Sequence, residues 1–133
     1  MLSSGTTGYF PNPSALHEIT DLHGEWKDLG NPCVGDKNEN SFRSQFSSVF
    51  RHPLKEDVYI ALGDRWLTDL VEDMPDIREV FYGIFSDKAK KKYTGEDLRP
   101  LSDENTSEAN YVWLPVVFDA DTPRIRFLRE WKI

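Results

Sequence analysis

Tyr59-Ile60-Ala61-Leu62-Gly63-Asp64-Arg65-Trp66 and Tyr111-Val112-Trp113-Leu114-Pro115-Val116-Val117-Phe118 decide the fold class. Both phrases alternate bulky apolar residues with smaller or polar ones, the period of a strand with one face packed and the other open. Each has a strand-like neighbour. Upstream of the first, Ser41 to Phe50 alternates with Phe42, Phe46 and Phe50 expected on one side, until His52-Pro53 ends it, and Asp57 to Gly63 forms the return strand. Downstream of the second, Asp119-Ala120-Asp121-Thr122-Pro123 breaks the chain, and Arg124 to Trp131 resumes strand character with Ile125, Phe127 and Leu128. Two antiparallel hairpins result, the unit from which sandwiches and propeller blades are assembled.

Between the hairpins the period changes. Ile77, Val80, Phe81, Ile84 and Phe85 recur at three- and four-residue spacing, which predicts a helix from Pro75 to about Lys91. Pro75 suits the first turn, Asp76 and Glu79 suit the N-terminal end, and the lysines suit the C-terminal end of the macrodipole. Thr94 to Ser107 is polar, a loop or a further short helical turn, so residues 67–110 read as a helical and loop insertion. At the start, Leu2 to Pro13 is rich in Ser, Gly, Thr, Pro and Asn and reads as a turn-rich loop. Ser14 to Ile19 makes a short strand or turn, Leu22 to Leu29 leads a Gly24-Glu25-Trp26 turn into a strand, and Gly30 to Asn40 is a second loop. The class is mainly β with one helical insertion. At 133 residues there is room for one modest core.

Composition narrows the chemistry. A formal net charge of −7 and a pI near 4.9 argue against a nucleic-acid partner, which would need a surplus of Lys and Arg to neutralise phosphates. Lys88, Lys90, Lys91 and Lys92 make the only basic run, and it reads as a solvated face. No apolar run approaches the roughly 20 residues that span a bilayer, and no signal-peptide pattern opens the sequence, so no membrane is expected and localisation is left undefined. The single cysteine, Cys33, forms no intrachain disulfide and reads as a buried small apolar residue. His17, His23 and His52 lack metal-ligand spacing, and no cofactor motif occurs.

Two polar positions stand out against this scaffold. Gly63-Asp64-Arg65-Trp66 ends a strand with an acid, a base and an indole, either an ion pair fixing a loop or a planar donor beside a stacking surface for a sugar ring. Gln45 lies between hydroxyl residues and two phenylalanines; spacing alone makes it a hydrogen-bonding amide, since a neutral amide is a very poor base. Asp64, Asp69, Glu72 and Asp73 read mainly as solvated acids rather than as the paired carboxylates of glycoside hydrolysis.

Taken in order, Ser4-Gly5-Thr6-Thr7-Gly8-Tyr9-Phe10-Pro11-Asn12, Gly24-Glu25-Trp26, Leu29-Gly30-Asn31-Pro32-Cys33, Ser41-Phe42-Arg43-Ser44-Gln45, Gly63-Asp64-Arg65-Trp66, Tyr111-Val112-Trp113-Leu114-Pro115 and Glu130-Trp131 resemble the C-terminal part of family 43 glycoside hydrolases, in the exo-β-1,3-galactanase branch. The resemblance covers nearly the whole chain. It implies about two blades of a five-bladed β-propeller, residues 1–133 being one partial domain, and an inverting hydrolase whose general acid lies upstream of the Ser-Gly-x-Thr-Gly phrase. It makes Gln45 the catalytic amide that positions the attacking water, and Thr7 a sugar contact. Tyr9, where the branch more often has Trp, Arg65 and Trp66 join the expected substrate-binding set, although Trp66 and Trp113 also match blade-packing positions. No cofactor is expected beyond a calcium ion compatible with the propeller channel.

The expected partners are an oligosaccharide or polysaccharide and either the missing N-terminal blades or a second copy. With a signal peptide on a longer chain, the protein would be secreted or periplasmic. A non-catalytic carbohydrate-binding module and a truncated product without independent activity remain alternatives on these residues.

Overall fold

The computed structural model describes residues 11–66, 76–94, 96–97 and 106–133. Among the described residues the chain builds seven strands and one helix: β1 (Leu16–Glu18), β2 (Lys27–Gly30), β3 (Cys33–Val34), β4 (Gln45–Arg51), β5 (Tyr59–Arg65), α1 (Ile77–Phe85), β6 (Asn110–Asp119) and β7 (Thr122–Arg126), with a 3-10 turn at Thr106–Glu108. Strands β1 and β2 form a small antiparallel sheet; the others form a five-stranded sheet in the order β3-β7-β6-β5-β4. Both expected hairpins are present, and they are joined. β5 pairs with β6 along its whole length, from Tyr59 opposite Val116 to Arg65 opposite Asn110. Hairpin, insertion and hairpin therefore make one continuous sheet, with β3 added in parallel at the outer edge of β7.

One face of this sheet carries the core: Phe46, Ala61, Val112, Leu114, Val116 and Ile125, joined by Cys33 and by the partly buried Phe42, Val49 and Tyr59. Phe46 and Val49 reach the same face although three residues separate them. A bulge at Ser47 accounts for this, because Phe46 lies opposite Gly63 while Ser48 lies opposite Leu62. The bulge overturns the simple alternation expected of Phe42, Phe46 and Phe50. Phe50 pairs with Ile60 on the other face and meets Trp113 edge-on at 6.3 Å between centroids.

Several boundaries differ from the periodicity, among them the end of β7, at Arg126 rather than Trp131. Strand β4 begins at Gln45 rather than Ser41, because residues 41–43 form a turn with positive φ. The second hairpin closes more tightly than expected: Asp119 faces Thr122 across a two-residue loop in which Ala120 takes a φ of 52°. Pro123 fits inside β7 because the partner β3 reaches only Ile125 and Arg126, so the missing N–H faces no strand. The loop expected from Gly30 to Asn40 contains β3, anchored where the Ile125 amide donates to Pro32 O at 2.9 Å.

The helix, Ile77–Phe85, is shorter than the expected span from Pro75 to about Lys91. Asp76 caps it by accepting from the Arg78 amide at 3.0 Å, and Val80 and Phe81 are buried. It stops at Phe85 because the chain folds back. The Tyr93 amide donates to Gly83 O at 3.3 Å, and the Tyr93 ring lies so close that a Cβ on Gly83 would come within 2.2 Å of it. The lysines still serve the helix end, from beyond it: Lys92 Nζ donates to Ser86 O at 2.8 Å. Among the described residues no helix is long and apolar enough to cross a membrane.

Candidate functional site

Gln45 follows a run of constrained backbone. Glu39, Ser41, Phe42 and Arg43 all have φ between 49° and 63°, the left-handed region that non-glycine residues enter at a cost. Polar side chains hold them there. The Asp36 carboxylate accepts from the amides of Ser41 at 2.6 Å and Phe42 at 3.4 Å, and Asn40 Oδ1 accepts from the Arg43 amide at 3.0 Å. Burial raises the Asp36 pKa above the usual carboxylate value, with the backbone amides opposing it.

Ser41 is fully buried, and its hydroxyl donates to Asn12 O at 2.6 Å. That uses its one proton, so Ser14 is the donor in the 2.7 Å bond between the two hydroxyls. Ser44 Oγ donates to Ser41 O in turn. Backbone strain over-determined by buried hydrogen bonds is a feature of sites that must hold one side chain still; here the side chain that follows is Gln45.

Gln45 and Trp66 meet directly, since Trp66 Nε1 donates to Gln45 Oε1 at 2.8 Å. An indole nitrogen only donates, so the amide orientation is set: Oε1 faces the ring and the NH2 group faces away. Register places Asp64 opposite Gln45 and Tyr111 opposite Asp64, so these side chains share one face of the sheet. Trp113 lies two residues further along on that face. Tyr111 is 75% exposed and Trp113 52% exposed, which gives an amide and a carboxylate beside open aromatic surface.

Arg65 lies elsewhere. It follows Tyr59, Ala61 and Gly63 on the core side of β5, where Nη2 donates to Phe42 O at 3.1 Å and the guanidinium lies 5.6 Å from the Phe127 ring centroid. Its Nε is buried and has no acceptor among the described residues. Burial, and then the neighbouring charge of Arg43, lower its pKa from the ordinary value. The structure thus brings Gln45 and Trp66 together and places Arg65 around the end of the same strand pair. Thr7 and Tyr9 lie outside the described residues, as do Asp69, Glu72 and Asp73.

Sequence reasoning passed over Asp36, Asn40, Tyr111 and Phe127. The first two lay in a loop whose Asn and Asp content signalled turns, without saying which amides they would hold. His52 is a turn residue, its Nδ1 accepting from the Leu54 amide at 3.1 Å. Cys33 is buried, and its thiol is pushed up to about 12 by burial and by the charge of Asp36. Among the described residues no group of three or more His, Cys, Asp or Glu side chains gathers to hold a metal ion.

No family model matches the chain, and no curated protein matches its sequence. Solved structures do match. A GH43 β-1,3-galactosidase superposes with a TM-score of 0.65 at 24% identity, over 98% of this chain and 20% of its own. A second GH43 β-1,3-galactosidase, solved with galactodeoxynojirimycin, superposes with a TM-score of 0.63 at 26% identity, over 98% of this chain and 28% of its own. The resemblance read from the sequence recurs in the fold: the chain is similar along nearly its whole length to part of these family 43 glycoside hydrolases, and spans a fifth to somewhat over a quarter of theirs.

Proposed function

We propose that this chain is the water-positioning, sugar-contacting part of a GH43-type glycosidase acting on β-linked galactan or a related polysaccharide. The similarity of 98% of the chain to β-1,3-galactosidases supports the class. The Gln45–Trp66 bond carries the reading of the site. With one lone pair of Oε1 taken by the indole, Gln45 keeps a second for a water O–H and an NH2 group for a sugar oxygen. That is a holder for water rather than a base, and it suits an inverting reaction, in which water attacks the anomeric carbon from the face opposite the leaving group. Thr7 and Tyr9 would complete the sugar contacts, and the general acid would come from residues outside these 133.

The chain alone should therefore bind without turning over. The test is β-1,3-galactobiose, incubated for hydrolysis and titrated for binding. The expected outcome is saturable binding weakened by Gln45→Ala, with no measurable release of galactose. Turnover by the chain alone that Gln45→Ala abolishes would overturn the division of labour. A carbohydrate-binding module is favoured as the second reading by the exposed Tyr111 and Trp113 beside Gln45, since aromatic faces stack on pyranose rings without any catalytic group. Binding that depends on Tyr111 and Trp113 but is indifferent to Gln45→Ala would select it.

A further inference from the structure

The chain carries a formal charge of −7, yet one of its clefts is basic. A groove of about 740 Å³, within the size range of ligand sites, runs between the turn after β3 and the segment after β7. Lys37, Arg43, Arg65, Arg126 and Arg129 line it, against Asp36 as its one carboxylate among the described residues. The Asp36 oxygens are engaged by the turn amides. Arg126 and Arg129 are exposed and form no ion pair with a carboxylate among the described residues.

Gathering like charges in one concavity costs free energy through mutual repulsion, so a groove that does so is poised for an anion. Arg65 is the fixed member. Its guanidinium is held by Phe42 O and the Phe127 ring, which fixes the plane of the fork. The flanking Phe127, 42% exposed, and Leu128, 43% exposed, supply apolar surface beside the charges. A ligand matching both features has a compact body with a weakly polar face and an anionic substituent.

We infer that this groove binds an acidic saccharide, with the planar carboxylate of a uronic acid held by Arg65, Arg126 and Arg129. The arginine fork matches a planar carboxylate two oxygens at a time, which a hydroxyl cannot reproduce. The inference rests on the reading of the chain as a saccharide-binding protein, and adds that the sugar recognised bears a charge. It also gives Arg65 a role on its own side of the sheet, away from Gln45.

The test titrates the full chain with digalacturonate, β-1,3-galactobiose and inorganic sulfate at low and high sodium chloride. Digalacturonate is expected to bind about tenfold or more tightly than galactobiose at low salt, with the advantage shrinking as salt rises. Arg126→Gln combined with Arg129→Gln should remove that preference. Both residues are exposed, and an unchanged melting curve would show the variant folded; Lys37→Gln, tested separately, should reduce the preference by less. Equal affinity for the two disaccharides, or a preference untouched by the double variant, would overturn the acidic-sugar inference while leaving saccharide binding at Gln45 standing. Sulfate bound as tightly as digalacturonate, with no galactobiose binding, would sink both readings and leave a plain anion site.

Discussion

Replacing Gly63 with alanine probes the packing behind the Gly-Asp-Arg-Trp phrase. A Cβ built there lies 2.9 Å from Val112 Cγ1, 3.1 Å from Phe46 Cδ1 and 3.1 Å from Ser44 Oγ. None of these neighbours yields easily. Val112 is β-branched with one favoured rotamer, Phe46 is 1% exposed in the core, and Ser44 is tied to Ser41 O. Overpacking of this kind costs about 1–3 kcal/mol, and the alanine recovers roughly 0.4–1 kcal/mol by restricting the unfolded chain. The net expectation is destabilisation by about 1.5 kcal/mol, or about 5 °C in melting temperature for a chain of this size.

Urea denaturation followed by tryptophan fluorescence measures it, and a double-mutant cycle with Val112→Ala tests the cause. Removing the valine methyls should make room for the new Cβ, so the double variant should be more stable than the sum of the single effects by at least about 0.5 kcal/mol. A Gly63→Ala protein as stable as the parent, or strictly additive effects with Val112→Ala, would refute the close-packing argument.

Other perturbations follow from the same structure. Ser41→Ala removes a donor to Asn12 O and an acceptor for Ser14 and should cost about 1–3 kcal/mol by denaturant titration, because the orphaned partners are buried. Asp76→Ala removes the cap of α1 and should cost about 0.5–2 kcal/mol, which loss of protection of the Arg78 amide in hydrogen exchange would register. Cys33, with its folded pKa raised from 9.0 to about 12, favours the folded state in its thiol form, so its contribution is complete below pH 9 and is lost as pH rises toward 12. Stability should therefore fall more steeply above pH 9 in the parent than in Cys33→Ala, and native Cys33 should resist alkylation at pH 8 until denaturant is added.

Much of the sheet was legible in the residues. The alternation in Tyr59 to Trp66 and Tyr111 to Phe118 marks the two central strands, which pair with each other, and the apolar spacing from Ile77 to Phe85 marks the helix. Alternation carries no information about an extra residue, so the bulge at Ser47, which turns Phe50 away from Phe46, was invisible. Nor could it locate the start of β4. Ser41 to Arg43 has a strand-like composition, and only the acceptors supplied by Asp36 and Asn40 turn it into left-handed backbone. Parallel β3 escaped notice because two residues give no period.

The same limit explains what happened to the candidate site. Gln45 and Trp66 are brought together by the pairing of β4 with β5, and the Gln45 to Asp64 register puts Arg65 on the other side. Neighbours in a strand point to opposite faces, so a phrase such as Asp64-Arg65-Trp66 cannot present all its polar groups to one ligand. Asp64 and Trp66 belong with Gln45, where the indole fixes the amide. Arg65 belongs with Phe42 and Phe127, beside the basic groove. A compact motif thus serves two surfaces. The strained turn from Glu39 to Arg43 joins them, since it supplies Phe42 O to Arg65 and leads directly into Gln45. Loosening that turn should disturb both surfaces together, whereas a change at Trp66 or at Arg126 should disturb only its own.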